Sequence, residues 1–146
     1  MYTKILMPVD GSENAALACA HAVDLAKSGD MEMVLLSCYQ VRSARIGAGS
    51  GKKLIVAELE SKCREYLAPC EVLCAANGLK YKSVIRRGKP SAIIIQVAEE
   101  ENCDLIVIGS RGLGNIAGAI MGSVTNKVLK DAPVPVLVVR KKAWQQ

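Results

Sequence analysis

Residues 105–125 read LIVIGSRGLGNIAGAIMGSVT. The first four are apolar and mostly β-branched, the composition of a strand buried on both faces. Glycines follow at 109, 112, 114, 118 and 122, and a helical pattern then runs from about Ile120 or Met121 to Lys130, where Pro133 and Pro135 forbid continuation. Strand, glycine-rich loop and helix in that order make one half of a parallel crossover unit. Glycine adopts positive φ without steric cost and lets another group approach the main chain closely, so successive N–H groups of such a loop can turn inward as a nest for phosphate oxygens. The positive end of the following helix reinforces that field. Ser123 and Thr125 would add hydroxyl donors and Arg111 a charge-assisted contact. These features describe a polyphosphate site; a plain glycine-rich turn is the alternative that composition alone leaves open.

Working outward, four more apolar segments rich in β-branched residues occur at 4–9, 32–38, 80–85 and 134–139. Helical stretches separate them. The first should be capped by Ser12, bury Ala15, Ala18, Ala22 and Leu25, and end at Gly29. The second, about 52–77, carries Ile55, Leu59, Cys63, Tyr66, Cys70 and Leu73 on one stripe, with Pro69 expected to kink it and Gly78 to stop it. The third begins near Pro90, a residue suited to a first helical turn, and reaches Glu101. Alternation of this kind predicts an α/β fold, an open five-stranded and mostly parallel sheet with helices on both faces, and right-handed crossovers leave few topologies for it, among them the order 3-2-1-4-5. In that order the winding reverses between strands one and four, and ligands enter the crevice at their C-terminal ends. Pro8 and Asp10 end the first strand there and Gly109 the fourth. Asp10 is placed to accept from ribose hydroxyls or to help hold magnesium, and equally to serve an Asx turn or helix cap before Ser12; both roles can coexist.

The chain has 146 residues, 51% hydrophobic and 23% charged, the size of one domain with its own core, 1–146. No apolar run approaches the roughly 18 residues needed to span a bilayer, and the N-terminus lacks the pattern of a secretory signal, so no membrane insertion and a cytoplasmic location are expected. The net charge of +5 is spread along the chain, with one Trp and no Phe for base stacking, which argues against nucleic acid. Six cysteines in a chain with ample core read as free thiols rather than a disulfide framework. Cys70 and Cys74 could face one metal ion, but no second pair completes a ligand set, and they read as core thiols.

Two further motifs fail on inspection. GAGSGKK at 47–53 lacks the early glycine of a P-loop, since Ile46 stands there, and the hydroxyl residue after Lys52. It reads instead as a mobile connection near the site. Gly112, Gly114 and Ala117 imitate a dinucleotide fingerprint, but after the fourth strand rather than the first. His21, the one histidine, falls at the edge of the first helix's apolar stripe and reads as a boundary residue rather than a catalytic base.

The spacing GxxG(x9)G followed by Ser, met by Gly109, Gly112, Gly122 and Ser123, resembles the ATP-binding members of the universal stress protein family. KILMPVDGSE at 4–13 resembles that family's first strand and turn, and PVPVLVV at 133–139 its closing strand, so the likeness covers the whole chain. The resemblance implies an adenine nucleotide alpha hydrolase-like fold with ATP, with or without magnesium, held by Pro8, Gly109, Ser110, Arg111, Gly112, Gly122, Ser123, Val124 and Thr125, with Asp10 near the ribose. It implies a backbone contact to adenine at Cys38, and a homodimer paired through the last strand. The leading expectation is a non-catalytic regulator in stress response, in which nucleotide orders the 42–52 connection. A slow ATPase or nucleotidyl-transfer enzyme using Asp10, magnesium and Arg111 is the alternative, for which the sequence supplies no placed general base. A thiol or metal sensor built on Cys38, Cys70 and Cys74 is a third reading.

Overall fold

A computed structural model describes residues 1–41, 50–112 and 121–141. Its elements run β1 (Lys4–Pro8), α1 (Glu13–Gly29), β2 (Glu32–Tyr39), α2 (Ser50–Ala76), β3 (Tyr81–Arg87), α3 (Pro90–Glu100), β4 (Leu105–Gly109), α4 (Ser123–Asp131) and β5 (Val136–Val139). The strands form one sheet in the order β3-β2-β1-β4-β5, every adjacent pair parallel, as the alternation requires.

Side chains of successive strand residues point to opposite faces, and both faces are buried. Ile5, Met7, Met33, Leu35 and Val107 pack with Ala18, Ala22 and Ala26 of α1 and Leu67 and Cys74 of α2. Their neighbours Leu6, Val34, Leu36, Ile106 and Ile108 pack on the other side with Ile94 and Val97 of α3 and Val128 of α4. The central strands are therefore continuous hydrophobic runs, and the alanine stripe of α1 lets that helix approach the sheet closely.

The ends follow local rules. Ser12 caps α1, its hydroxyl accepting from the Ala15 N–H at 3.1 Å. That helix ends one residue later than its glycine suggested: Gly29 is its last residue and Asp30 takes the left-handed cap conformation at φ 52°. Gly78, with φ +68°, follows α2 as anticipated. Pro69 lies inside α2, which continues past it. β5 is shorter than expected because Pro135 cannot donate to the ladder; its carbonyl accepts from the Ile106 N–H instead.

One expectation is overturned. Cys19 of α1 and Cys70 of α2 are joined in a disulfide, with Cα atoms 6.3 Å apart, whereas Cys38, Cys63, Cys74 and Cys103 are free. Composition suggested six thiols because it cannot see that two helices on one face of the sheet bring two buried cysteines, 51 residues apart in sequence, side by side. In the chain-entropy picture, closing a loop of that length stabilises the fold by about 4 kcal/mol. Reduction, or Cys19→Ala with Cys70→Ala, should lower the urea midpoint accordingly; an unchanged midpoint on verified reduction would show that the bond contributes nothing.

Candidate functional site

β1 and β4 lie side by side in the sheet, and a cavity of about 260 Å³ opens where their C-terminal ends meet the helix N-termini. Of the residues singled out by sequence, Pro8, Asp10, Cys38, Gly109, Arg111, Gly112, Gly122, Ser123, Val124 and Thr125 line it. Ser110 does not: it is 4% exposed and braces the loop from below, its N–H donating to the Val139 carbonyl and its carbonyl accepting from the Gly122 N–H at 2.8 Å. That bond returns the chain to the β4 end after residues 113–120, which lie outside the described residues with Gly114 and Ala117 of the discarded fingerprint.

One wall of the cavity was not foreseen. Val9, Ala15, Leu36, Pro90, Ile94 and Ile108 add apolar surface. The signal was present in strand parity, because Leu36 shares a face with Cys38 and Ile108 with Leu6. The cavity is thus an apolar slot at the ends of β2 and α3, opening onto a polar loop at the ends of β4 and the start of α4.

The polar end is built from main chain. Gly122 is the N-cap of α4, at φ −74° and ψ 163°, and has no side chain with which to cap it. The first N–H groups of a helix have no intrahelical acceptor, so those of Ser123 and Val124 stand at the positive end of α4 beside the cavity. Thr125 does not act there as a donor, the role its hydroxyl suggested. It is 3% exposed and its Oγ1 donates to the Gly109 carbonyl at 2.8 Å, tying the helix start to the strand end.

Asp10 performs the local duty foreseen for it. Its Oδ1 accepts from the Ser12 N–H at 3.0 Å, an Asx turn that feeds α1. Its other oxygen, Oδ2, lies against the Cα of Gly112, where a methyl group would collide with it. Gly109 is equally close to the backbone of Asn14, where an added Cβ would stand 2.9 Å from the carbonyl oxygen. Both glycines let the β4 loop close against the β1–α1 turn.

Cys38 stands at the apolar end. Burial, and then the neighbouring Cys63, push its thiol up to about 12 against the opposing influence of Arg86. Burial likewise pushes Cys74 and Cys103 up to about 11. Cys70 is spent in the disulfide, and no group of three metal-binding side chains occurs among the described residues. A sensor built on a low-pKa thiolate at Cys38 or Cys74 therefore loses its reactive group, and among the described residues it finds no metal centre. His21 is exposed on α1 and is not among the lining residues. Of the GAGSGKK stretch, residues 50–53 open α2, and 42–49 lie outside the described residues.

Comparison with known proteins matches residues 1–140 to the Universal stress protein family. Universal stress protein MJ0531 of Methanocaldococcus jannaschii is 34% identical over 143 residues, which is 97% of this chain and 84% of that one. The solved structure of the hypothetical protein MJ0577 from the same organism superposes with a TM-score of 0.87 at 31% identity, covering 98% of this chain and 99% of that one. A universal stress protein family protein from Arabidopsis thaliana, solved with AMP bound, shares the fold at a TM-score of 0.73 and 21% identity, over 98% and 94% of the two chains. No helix among the described residues is long and apolar enough to cross a membrane.

Two outcomes follow from the site's construction. Thr125→Val should destabilise the fold by roughly 1–3 kcal/mol, since it removes the partner of a buried carbonyl, and denaturant unfolding would read this. Cys38, Cys74 and Cys103 should resist alkylation at pH 8 relative to the urea-unfolded chain. Because their folded pKa values lie above that of an exposed thiol, their contribution to stability is intact below about pH 9 and falls away as pH climbs toward 12. Alkylation of the native protein at the unfolded rate would contradict the burial.

Proposed function

The chain belongs to the universal stress protein family, and from that membership and the pocket's construction we propose that it binds ATP and acts as a nucleotide-dependent regulator. The observation that carries the reading is the collar formed by Gly109, Gly112 and Gly122 around the uncapped start of α4, facing an apolar slot across the same cavity. An adenine nucleotide has the complementary halves, a flat heteroaromatic base and a polyanion. AMP in the Arabidopsis relative is a molecule of this class.

Each residue then has a role that its placement allows. The slot between Leu36, Cys38, Pro90 and Ile94 takes the base, and a main-chain group at Cys38 recognises its edge without involving the neutral thiol. Asp10 accepts from ribose hydroxyls. The N–H groups of Ser123 and Val124, with the Gly109–Gly112 loop and Arg111, meet the phosphates. Among the described lining residues Asp10 is the one carboxylate, so a magnesium ion would be held mainly by phosphate oxygens.

Binding rather than turnover is the favoured outcome. Phosphoryl transfer needs a group that orients or deprotonates the attacking oxygen. Asp10 is already engaged with the Ser12 N–H, and His21 lies elsewhere. Regulation would be read out through assembly. β5 is an outer strand of the sheet, with Leu137 39% exposed, and pairing of two such edges would make a homodimer.

ATP at 100 times its dissociation constant should stabilise the protein by about 2.7 kcal/mol, visible as a thermal shift. Asp10→Ala should weaken binding roughly tenfold or more, the value of a charge-assisted hydrogen bond, and Gly112→Val more severely, because its side chain would fill the space beside Asp10. Calorimetric titration measures each, and light scattering with and without ATP reports the dimer. Absence of any ATP-induced shift, together with no nucleotide in mass spectra of natively purified protein, would sink the reading.

A further inference from the structure

The turn that carries Asp10 is held from two sides. Gly112 meets the Asp10 carboxylate, and Gly11, one residue on, meets the ring of Tyr66 on α2. Gly11 has φ +83°, and a methyl group on it would run into Cδ1 of Tyr66, with Cγ at 3.1 Å. No other residue type could adopt that φ without strain and leave room for the ring. The Tyr66 ring thus stands as a wall against Gly11, between Asp10 and Ser12 in the turn.

The wall is itself anchored. Glu60, earlier on α2, accepts from the Tyr39 hydroxyl at the end of β2 at 3.1 Å, and Glu71 accepts from the Ser83 hydroxyl of β3 at 2.7 Å. Between them Cys70, one helical turn beyond Tyr66 and on the same face, is bonded to Cys19 of α1. The cap of α1 is Ser12, whose N–H is bound by Asp10. A closed circuit results, from Asp10 through Ser12 and α1 to Cys19, across the disulfide to Cys70, along α2 to Tyr66 and back to Gly11.

We propose that Tyr66 is a positioning residue for the nucleotide pocket, and that the Cys19–Cys70 bond sets how firmly it holds the Asp10 turn, so that nucleotide affinity follows the redox state of this pair. The inference rests on the adenine-nucleotide reading of the pocket. A dithiol reductant supplies two electrons and two protons: the sulfur–sulfur bond breaks to give two thiols, and the reductant closes to its own disulfide. Leu67 and Cys74 keep α2 packed on the sheet after the bond is cut. Reduction therefore loosens the wall without removing it, and Asp10 samples orientations other than the one in which Oδ1 accepts from the Ser12 N–H and Oδ2 packs on Gly112.

The test is calorimetric titration with magnesium ATP, at a temperature where circular dichroism shows every form folded. The forms compared are the oxidised protein, the protein reduced with dithiothreitol and verified by mass after alkylation, Cys19→Ala with Cys70→Ala, Tyr66→Phe, and Tyr66→Leu. Affinity should fall roughly three- to tenfold in the reduced protein, the double cysteine variant and Tyr66→Leu, the scale of coupling through packed elements. Tyr66→Phe, which keeps the ring, should bind as the oxidised protein does. Asp10→Ala should cost less in the Tyr66→Leu background than alone, since a residue acting through Asp10 cannot act once it is gone. A merely structural Tyr66 would leave those two costs additive. Equal affinity in all forms would overturn this inference while leaving nucleotide binding in place. Absence of binding to the oxidised protein would instead remove the pocket reading and this inference with it.

Discussion

The adjacency of β1 and β4 is the constraint on which the remainder of the molecule depends. The ladder pairs Ile5 with Leu105 and Leu6 with Ile106, so two strands some 100 residues apart share a register. A parallel pair cannot be joined by a tight turn, and right-handed crossovers send the chain to one face of the sheet from β1 to β3 and to the other from β3 to β5. At the seam between the two directions no connection covers the strand ends. The cavity exists because the winding reverses there, and the loop after β4 faces the turn after β1 for the same reason.

At that seam close packing and polar function make one demand. Gly112 must lack a side chain because the Asp10 carboxylate occupies the space, and Gly109 because the Asn14 backbone does. So close an approach leaves the main chain of the β4 end at the edge of the cavity. Thr125 and Ser110 spend their hydrogen bonds inside the loop, to Gly109 and to Val139 and Gly122, and so hold that main chain in place before any ligand arrives. Preorganisation of this kind contributes to affinity by removing ordering cost from the binding step.

Much of this was legible in the sequence, and the exceptions share a cause. The open parallel sheet followed from alternation, its order from the few topologies that remain together with the family resemblance, and the glycine spacing with Asp10 located the crevice, because these are local patterns that topology then constrains. Asp10's Asx turn was readable from its two-residue offset to Ser12. The roles of Ser110 and Thr125 were not, since a hydroxyl or amide beside a glycine loop looks identical whether it faces the cavity or braces the loop. The disulfide was misread because it depends on two helices meeting on one face, which no spacing within either helix reveals. Leu36, Ile94 and Ile108 are core residues that also form the wall of the slot, because the core is left open where the strands end.

Under the proposed reading, that double use suits the pocket to binding. Its apolar wall is the sheet's own core, rigid for the same reason the fold is stable, and its polar rim consists of fixed dipoles. Fixed dipoles stabilise a charge already present on a ligand, such as the phosphates of the proposed nucleotide. Catalysis requires a group whose interaction strengthens as the reaction proceeds. Asp10, the one carboxylate among the described lining residues, is already bound to the Ser12 amide and packed against Gly112. A carboxylate so constrained is suited to recognising a hydroxyl and poorly suited to taking a proton from one.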